Sequence, residues 1–551
     1  MKHSIKRILF ILFLLPALGI SASPEARFHL IKMEYKLNPD GSQEQRIRKE
    51  LSIYTHPAMN NTYGETFVVY NPDYQTLTIN ESYTKQSDGT IIQNPENAFV
   101  KQLPSAAAKA PYYNRITEMA IVHTGLDLGS TIYLDYTLTT KPGYLPTLDL
   151  YLPIAEASPI DRYEIHISVP ADKELSFRTF GSFPTCSQKE SATTHEYFWT
   201  LRNLPETPTE PHAPLPYLLV ASTYPNSATA ADYYGKQGTA CPTDNPLFRE
   251  ILASADTCTD TTAKIHAIAS YTNTHVANCP LPFAQAGYRI RPCADVLQSA
   301  YGTAAEKAML LHTLLKSAGI SSAIAMKGTW PSTSQEAFPT LAAPMHFTLS
   351  INDGKQIIRI DPLTGKEIPA NNDPTGTFSL IYPQTPLQTP AGNALYASKN
   401  KETYQKEITL AMDSNGKITS STSEAIQADS INEHYRLLQL PVPQEQPSTA
   451  LHFSNSRRIN PILLPRPIEE SIQYEIQLPA GVKMLSKERH IHLDNKVGKL
   501  HISLEKTATG AKVVRTLSIP EVSIPTARYS DLYQLLRIWQ DPALLKILIS
   551  Q

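Results

Sequence analysis

Tyr301-Gly302-Thr303-Ala304-Ala305-Glu306-Lys307-Ala308-Met309-Leu310-Leu311-His312-Thr313-Leu314-Leu315-Lys316-Ser317-Ala318-Gly319 is the stretch on which the reading of the fold turns. Thr303 can cap a helix, and Glu306 stands three residues later, where its side chain can reach back to the cap. Met309, Leu310, Leu314 and Leu315 supply an apolar face and Gly319 a terminator, so the spacing predicts a helix over 303–318. The first turn of such a helix is the best place for a reactive thiol, because its free N–H groups and dipole favour the thiolate. Here that turn reads Thr-Ala-Ala-Glu and holds neither cysteine nor serine.

Around this helix the middle third has helical spacing over 245–256 and 261–277, then two strands over 345–351 and 355–360. Asp353-Gly354 reads as a two-residue hairpin turn with Asn352 opposite Lys355. Counting outward, Leu349 faces Ile358, Phe347 faces Ile360 and His346 faces Asp361. The apolar residues then share one side, and His346, Thr348, Ser350, Arg359 and Asp361 the other, which supports the register. An imidazole beside a carboxylate becomes catalytic when a nucleophile stands nearby and otherwise orders a hairpin or binds a ligand.

Arg291-Pro292, the segment from Tyr301 to Lys307, Leu310-Leu311, Ala318-Gly319-Ile320, Met345-His346-Phe347 and Ile360-Asp361-Pro362 together resemble the transglutaminase-like domains of exported bacterial proteins. The resemblance implies a papain-like α+β domain with a Cys–His–Asp triad. Its cysteine position falls on Ala304, its histidine on His346 and its aspartate on Asp361, so the triad is degenerate. Alanine carries no nucleophile, which closes the acyl-enzyme route. The stretches Tyr70–Leu77, Pro95–Phe99, His123–Gly125 and Tyr133–Tyr136 resemble a module of unknown function that commonly precedes such domains. The C-terminal third is similar to a β-rich module that commonly follows.

The flanks read as strands. Asp40-Gly41 and Asp88-Gly89 separate extended runs as hairpin turns do, and 130–140 and 161–169 are rich in β-branched and aromatic residues. Further on, 402–412 and 417–425 join at Asn415-Gly416, with strands again at 471–477 and 499–504. The leucine-rich stretch 530–549 reads as a terminal helix interrupted near Pro542. The expected architecture is a multidomain α+β protein: a signal peptide over 1–22, an N-terminal β-sandwich over 23–238, the transglutaminase-like domain over 239–398, and a β-rich domain with a terminal helix over 399–551.

Export is expected because Lys2, Lys6 and Arg7 precede the apolar run from Ile8 to Leu18, and small residues follow to Ala22. The run is too short to span a bilayer, no later segment reaches the uninterrupted apolar length needed to cross one, and the expected location is the periplasm or cell surface. The 551 residues hold 49 Lys+Arg against 51 Asp+Glu, with no basic excess to favour nucleic acid. Cys186, Cys241, Cys258, Cys279 and Cys293 are odd in number and lack a Cys-x-x-Cys spacing, so no zinc ribbon is expected. Cys279 and Cys293 read as a disulfide or as buried thiols. His490, His492 and Asp494 alternate onto one strand face, where a solvated surface is the simpler reading than a metal site.

These readings lead to a pseudoenzyme of the cell envelope that needs no cofactor or metal and whose cleft binds a peptide, protein or glycan. Two alternatives stay open: an active cysteine peptidase or amide-transfer enzyme using a displaced thiol such as Cys293, and a purely structural envelope component.

Overall fold

The structure, a computed structural model, describes residues 24–550 except 208, 239–244, 370–372, 390–391, 394–403, 414–417, 422–427, 433, 444–445 and 454–456. The export segment, Cys241 and the Asn415-Gly416 turn lie outside the described residues.

Strand alternation builds the first third. Ala26–Leu37 and Gln43–Ile53 pair antiparallel across the Asp40-Gly41 turn, where Gly41 takes a positive φ of 84° that a side chain would resist. They lie within an eight-stranded sheet that also holds Ile160–Pro170, Thr131–Thr140 and the Asp88-Gly89 hairpin, Gln75–Lys85 with Ile91–Gln93. Its apolar residues fall into two clusters. Phe28, Ile31, Ile165 and Trp199 pack with Leu152, Leu219 and Ala221 of one three-stranded sheet. Ile47, Leu134 and Tyr136 pack with Val68, Met119 and Ile121 of another. The described part of the first third is therefore β-rich.

The middle third places helices against a four-stranded sheet in the order Ile357–Ile360, His346–Asn352, Ser322–Thr329, Thr377–Tyr382, with antiparallel neighbours throughout. Leu310, Leu311, Leu314 and Leu315 of the helix Ala304–Ser317 share one core with Phe347, Leu349, Ile351, Ile358 and Ile360. That core also draws in Leu218, Val220 and the helix Ser227–Gly235. Ahead of the helix, Ala277–Cys279 and Tyr301–Thr303 run parallel, with Asn278 opposite Gly302.

In the C-terminal third a six-stranded sheet contains Tyr404–Met412, Ile418–Ser420, Ile468–Gln477 and Lys499–Thr507. The helix Tyr529–Trp539 buries Leu532, Leu535, Leu536 and Trp539 in the same core as Ile472, Tyr474 and Leu504. The expected terminal helix is only partly present. After Pro542–Leu545 the chain extends, and Lys546–Ser550 pairs antiparallel with Tyr435–Gln439. The proline breaks the helix, and the leucine spacing beyond it fits a strand with Ile547 and Ile549 inward and Leu548 between them. Among the described residues, no helix is long and apolar enough to cross a membrane.

Candidate functional site

The central helix begins as its sequence requires. Glu306 N–H donates to Thr303 Oγ1 over 3.3 Å, and Thr303 N–H donates to Glu306 Oε2 over 2.9 Å, a complete capping box. At the other end Ile320 N–H reaches Leu315 O and Gly319 N–H reaches Lys316 O, with Gly319 at φ +75°, which is a Schellman closure. Ala304 is the first helical residue and is partly exposed. The hydroxyl of this first turn belongs to Thr303, a residue 2% exposed, and is spent on the cap. The position where a helix would best activate a nucleophile is open but chemically blank.

Glu306 does more than cap. Its carboxylate also receives Arg291 Nε at 2.8 Å, Arg291 Nη2 at 3.0 Å, the Arg291 backbone N–H at 3.1 Å and the Tyr113 hydroxyl at 2.6 Å. The guanidinium lies over the rings of Tyr112, Tyr113 and Tyr301, with its central carbon 5.1, 5.5 and 4.5 Å from their centroids. Burial pushes the Tyr113 phenol well above its ordinary range, and the adjacent Glu306 adds to the shift. Arg291 therefore anchors the loop before the helix through a buried ion pair clasped by residues from the first third of the chain. Gly302 belongs to the same packing: a Cβ there would lie 3.1 Å from Val296 Cγ1.

One turn beyond Ala304, Lys307 is completely buried. Its Nζ donates to Val276 O and to Asn278 Oδ1, each over 2.7 Å. Burial lowers its ammonium to about 8, and the nearby Asp361 carboxylate partly offsets that. The sequence contained Lys307 inside the motif but gave no sign of this role, because its acceptors come from residues 276–278.

The hairpin departs from its expected register. Leu349 lies opposite Ile360, Ile351 opposite Ile358 and Asn352 opposite Ile357, where Leu349 had been set against Ile358. The turn is longer than two residues because Asp353 Oδ1 accepts the N–H groups of Lys355 and Gln356, each over 2.7 Å, which closes the loop 353–356 around an aspartate side chain. A slip of two residues keeps the faces intact, since strand side chains repeat every two. Phe347, Leu349, Ile351, Ile358 and Ile360 are accordingly all buried. The slip nonetheless separates the two residues of interest. Extended by one residue, the register sets Asp361 opposite Thr348 rather than His346.

His346 is exposed, and its cross-strand neighbour is Lys327, a cation held at 2.7 Å by Asp373, which also takes Arg359 at 2.7 Å. Asp361 accepts the Leu363 N–H over 2.8 Å, and its own carbonyl accepts the Gly365 N–H. No hydrogen bond joins His346 to Asp361 among the described residues. Asp361 sits at the neck of its own turn and beside Lys307, while His346 faces outward.

Neither Cys279 nor Cys293 stands at the start of the central helix in place of the missing thiol. Cys293 opens the helix Cys293–Ser299 but is 1% exposed inside the central core, its thiol donating to Gly238 O over 3.2 Å. Cys279 is buried with its thiol toward Ala106 O. Neither is in a disulfide, nor are Cys186 and Cys258, so the disulfide between Cys279 and Cys293 is not formed. His490, His492 and Asp494 are exposed along the strand Arg489–Asp494, and Asp494 pairs with Lys499. Among the described residues no group of three or more His, Cys, Asp or Glu is arranged to hold a metal ion.

Beyond Arg291 opens a cavity of about 830 Å³ between the first and middle thirds.

Residues 39–208 match a domain of unknown function (DUF3857), and residues 434–549 match a second (DUF3858). Along nearly its whole length the chain is similar to a solved Parabacteroides distasonis protein described as a "putative protease". The two share 31% identity with a TM-score of 0.76, over 96% of this chain and 99% of that one. The chain belongs to that protein's family. Partial likenesses extend to a Legionella pneumophila aminopeptidase A, at 10% identity over 38% of this chain and 23% of that one with a TM-score of 0.21. An M1 zinc metallopeptidase of Deinococcus radiodurans is matched at 11% identity over 45% of this chain and 54% of that one with a TM-score of 0.19. Neither bears on the family or on the site. No curated protein matches the chain.

Proposed function

We propose that this family member is an exported transglutaminase-like protein of the papain-like superfamily whose cleft is catalytically silent and retained for binding a peptide, protein or glycan in the cell envelope. The observation that carries the reading is Ala304 at the first position of a fully capped helix, where the triad thiol would stand. Two further features support it. The hairpin register, extended by one residue, sets Asp361 opposite Thr348 rather than His346, and the thiol at Cys293 is sealed in the core. Removing the nucleophile of a triad leaves only the small acceleration that binding and oxyanion stabilisation supply.

The description of the Parabacteroides relative favours a second reading, a working peptidase. Hydrolysis of a panel of peptides and proteins by the mature wild-type protein and by His346→Ala separates the two. A silent cleft gives background turnover in both, whereas wild-type turnover abolished by the substitution means a working enzyme. The export proposal rests on the basic start and apolar run of residues 1–22. It predicts that mass spectrometry of protein from the periplasmic or surface fraction finds a mature N-terminus close to Ser23; full-length protein in the cytosol overturns it.

A further inference from the structure

The cavity beyond Arg291 lies where the turn 71–74 and the short helix Pro111–Tyr113 of the first third meet the end of the helix Ser227–Gly235 and the loop before the helix Cys293–Ser299. Its volume of about 830 Å³ is that of a small-molecule site. Tyrosine dominates the walls. Tyr74 and Tyr144 are stacked with centroids 4.6 Å apart, and Tyr112, Tyr113 and Tyr233 add further rings. Tyr112 is 61% exposed and Tyr74 37% exposed; large rings left this bare beside a cavity offer flat apolar faces with a polar edge.

The charges of the lining sort themselves. Arg291 is neutralised by Glu306, and Arg115 by Asp73 at 2.8 Å. Arg289 is the exception. Its guanidinium lies 5.2 and 5.4 Å from the centroids of Tyr74 and Tyr144 and donates to the carbonyls of Gly143 and Tyr144. Among the described residues no carboxylate comes within ion-pair distance of it. Arg289 is thus a fixed cation of the cavity with no acid paired to it among the described residues.

We propose that this cavity binds a short oligosaccharide bearing a carboxylate, with sugar rings stacked on Tyr112 and Tyr74 and the carboxylate paired with Arg289. Peptide fits less well. The residues that line the cavity sit on turns, short helices and loops, so it offers no free strand edge along which an extended chain could add itself as a further strand. The proposal does not rest on a silent triad, because Ala304, His346 and Asp361 are not among the residues that line the cavity.

The test is calorimetric titration of the mature protein with tetrasaccharides of galacturonate, hyaluronate and alginate, with their carboxyl-reduced counterparts and with tetraglutamate. At least one acidic saccharide is expected to bind, with its reduced form weaker by about tenfold or more. Tyr112→Ala, at an exposed ring, should weaken binding about tenfold with an unchanged melting temperature, and Arg289→Gln should abolish the preference for the acidic over the reduced form. Absence of binding by every acidic saccharide overturns the proposal. So does equal binding of acidic and reduced forms, undiminished binding by both variants, or preferential binding of tetraglutamate.

Discussion

Tyr113 and Glu306 stand 193 residues apart in the chain, yet the phenol donates to the carboxylate over 2.6 Å in a buried setting. The bond fastens the segment 105–116, which packs Ala107, Ala110 and Ile116 against Cys279 and Leu281, to the start of the central helix. Tyr113→Phe keeps the ring beside Arg291 and removes only the hydroxyl. A lost bond to a buried charged group costs about 1.5–3 kcal/mol, so the urea midpoint should fall with the slope unchanged. An unchanged midpoint would show that the hydroxyl carries no load there.

Arg291 and Glu306 make a stronger case, because their side chains are 2% and 0% exposed. Arg291→Met strands a buried carboxylate and should cost about 3–5 kcal/mol, while Arg291→Met combined with Glu306→Gln should recover a good part of that. Equal losses in the single and double variants would mean that packing around Arg291, and not its charge, holds the loop.

Ala304→Cys puts a thiol at a partly exposed helix start. Its alkylation by iodoacetamide should rise to a plateau well below pH 8.5, as helix N-termini stabilise the thiolate, above a background set by the partly exposed Cys186 and Cys258. Amide hydrolysis should stay at background, because His346 faces outward and Asp361 is committed to its own turn. Substantial hydrolysis by this variant would mean that the histidine and aspartate still converge on the helix start.

What the sequence made legible was local. Thr303, Glu306 and Gly319 specify both ends of the central helix through contacts within a few residues, and the capping box and terminal closure are both present. The Asp40-Gly41 and Asp88-Gly89 turns likewise join the strands on either side of them. What failed depended on a turn reshaped by its own side chain or on partners distant in the chain. Asp353 lengthens its turn by folding back on the next backbone N–H groups, so the hairpin faces were legible while its pairing was not. The strand Lys546–Ser550 is set by a partner more than a hundred residues earlier. The roles of Lys307 and Tyr113 depend on acceptors that no spacing rule could have named. The blank position at Ala304 needed only the motif, but the separation of His346 from Asp361 needed the register.

Three buried groups give the stability a defined pH response. His312 lies 2.8 Å from Ser322 Oγ, and burial lowers its imidazole from the ordinary 6.5 to about 4. His123 is lowered to about 4 for the same reason. A histidine lowered on folding is protonated more readily in the unfolded chain, so its contribution is present above pH 6.5 and lost as pH falls through 4. Asp149 has the opposite sign. Burial raises its carboxyl from 3.8 to about 7 although Thr340 and the N–H groups of Leu341 and Ala342 donate to it. Its contribution is present below pH 3.8 and lost as pH rises through 7. The opposing slopes overlap between pH 4 and 6.5, and each group contributes on the order of 3 kcal/mol across its window. Asp149→Asn should therefore steepen the loss of stability on acidification, and His312→Gln should flatten it. Urea midpoints at pH 4.5 and 7 for wild type and both variants decide this. Two variants that shift both midpoints equally would show that neither group titrates on folding.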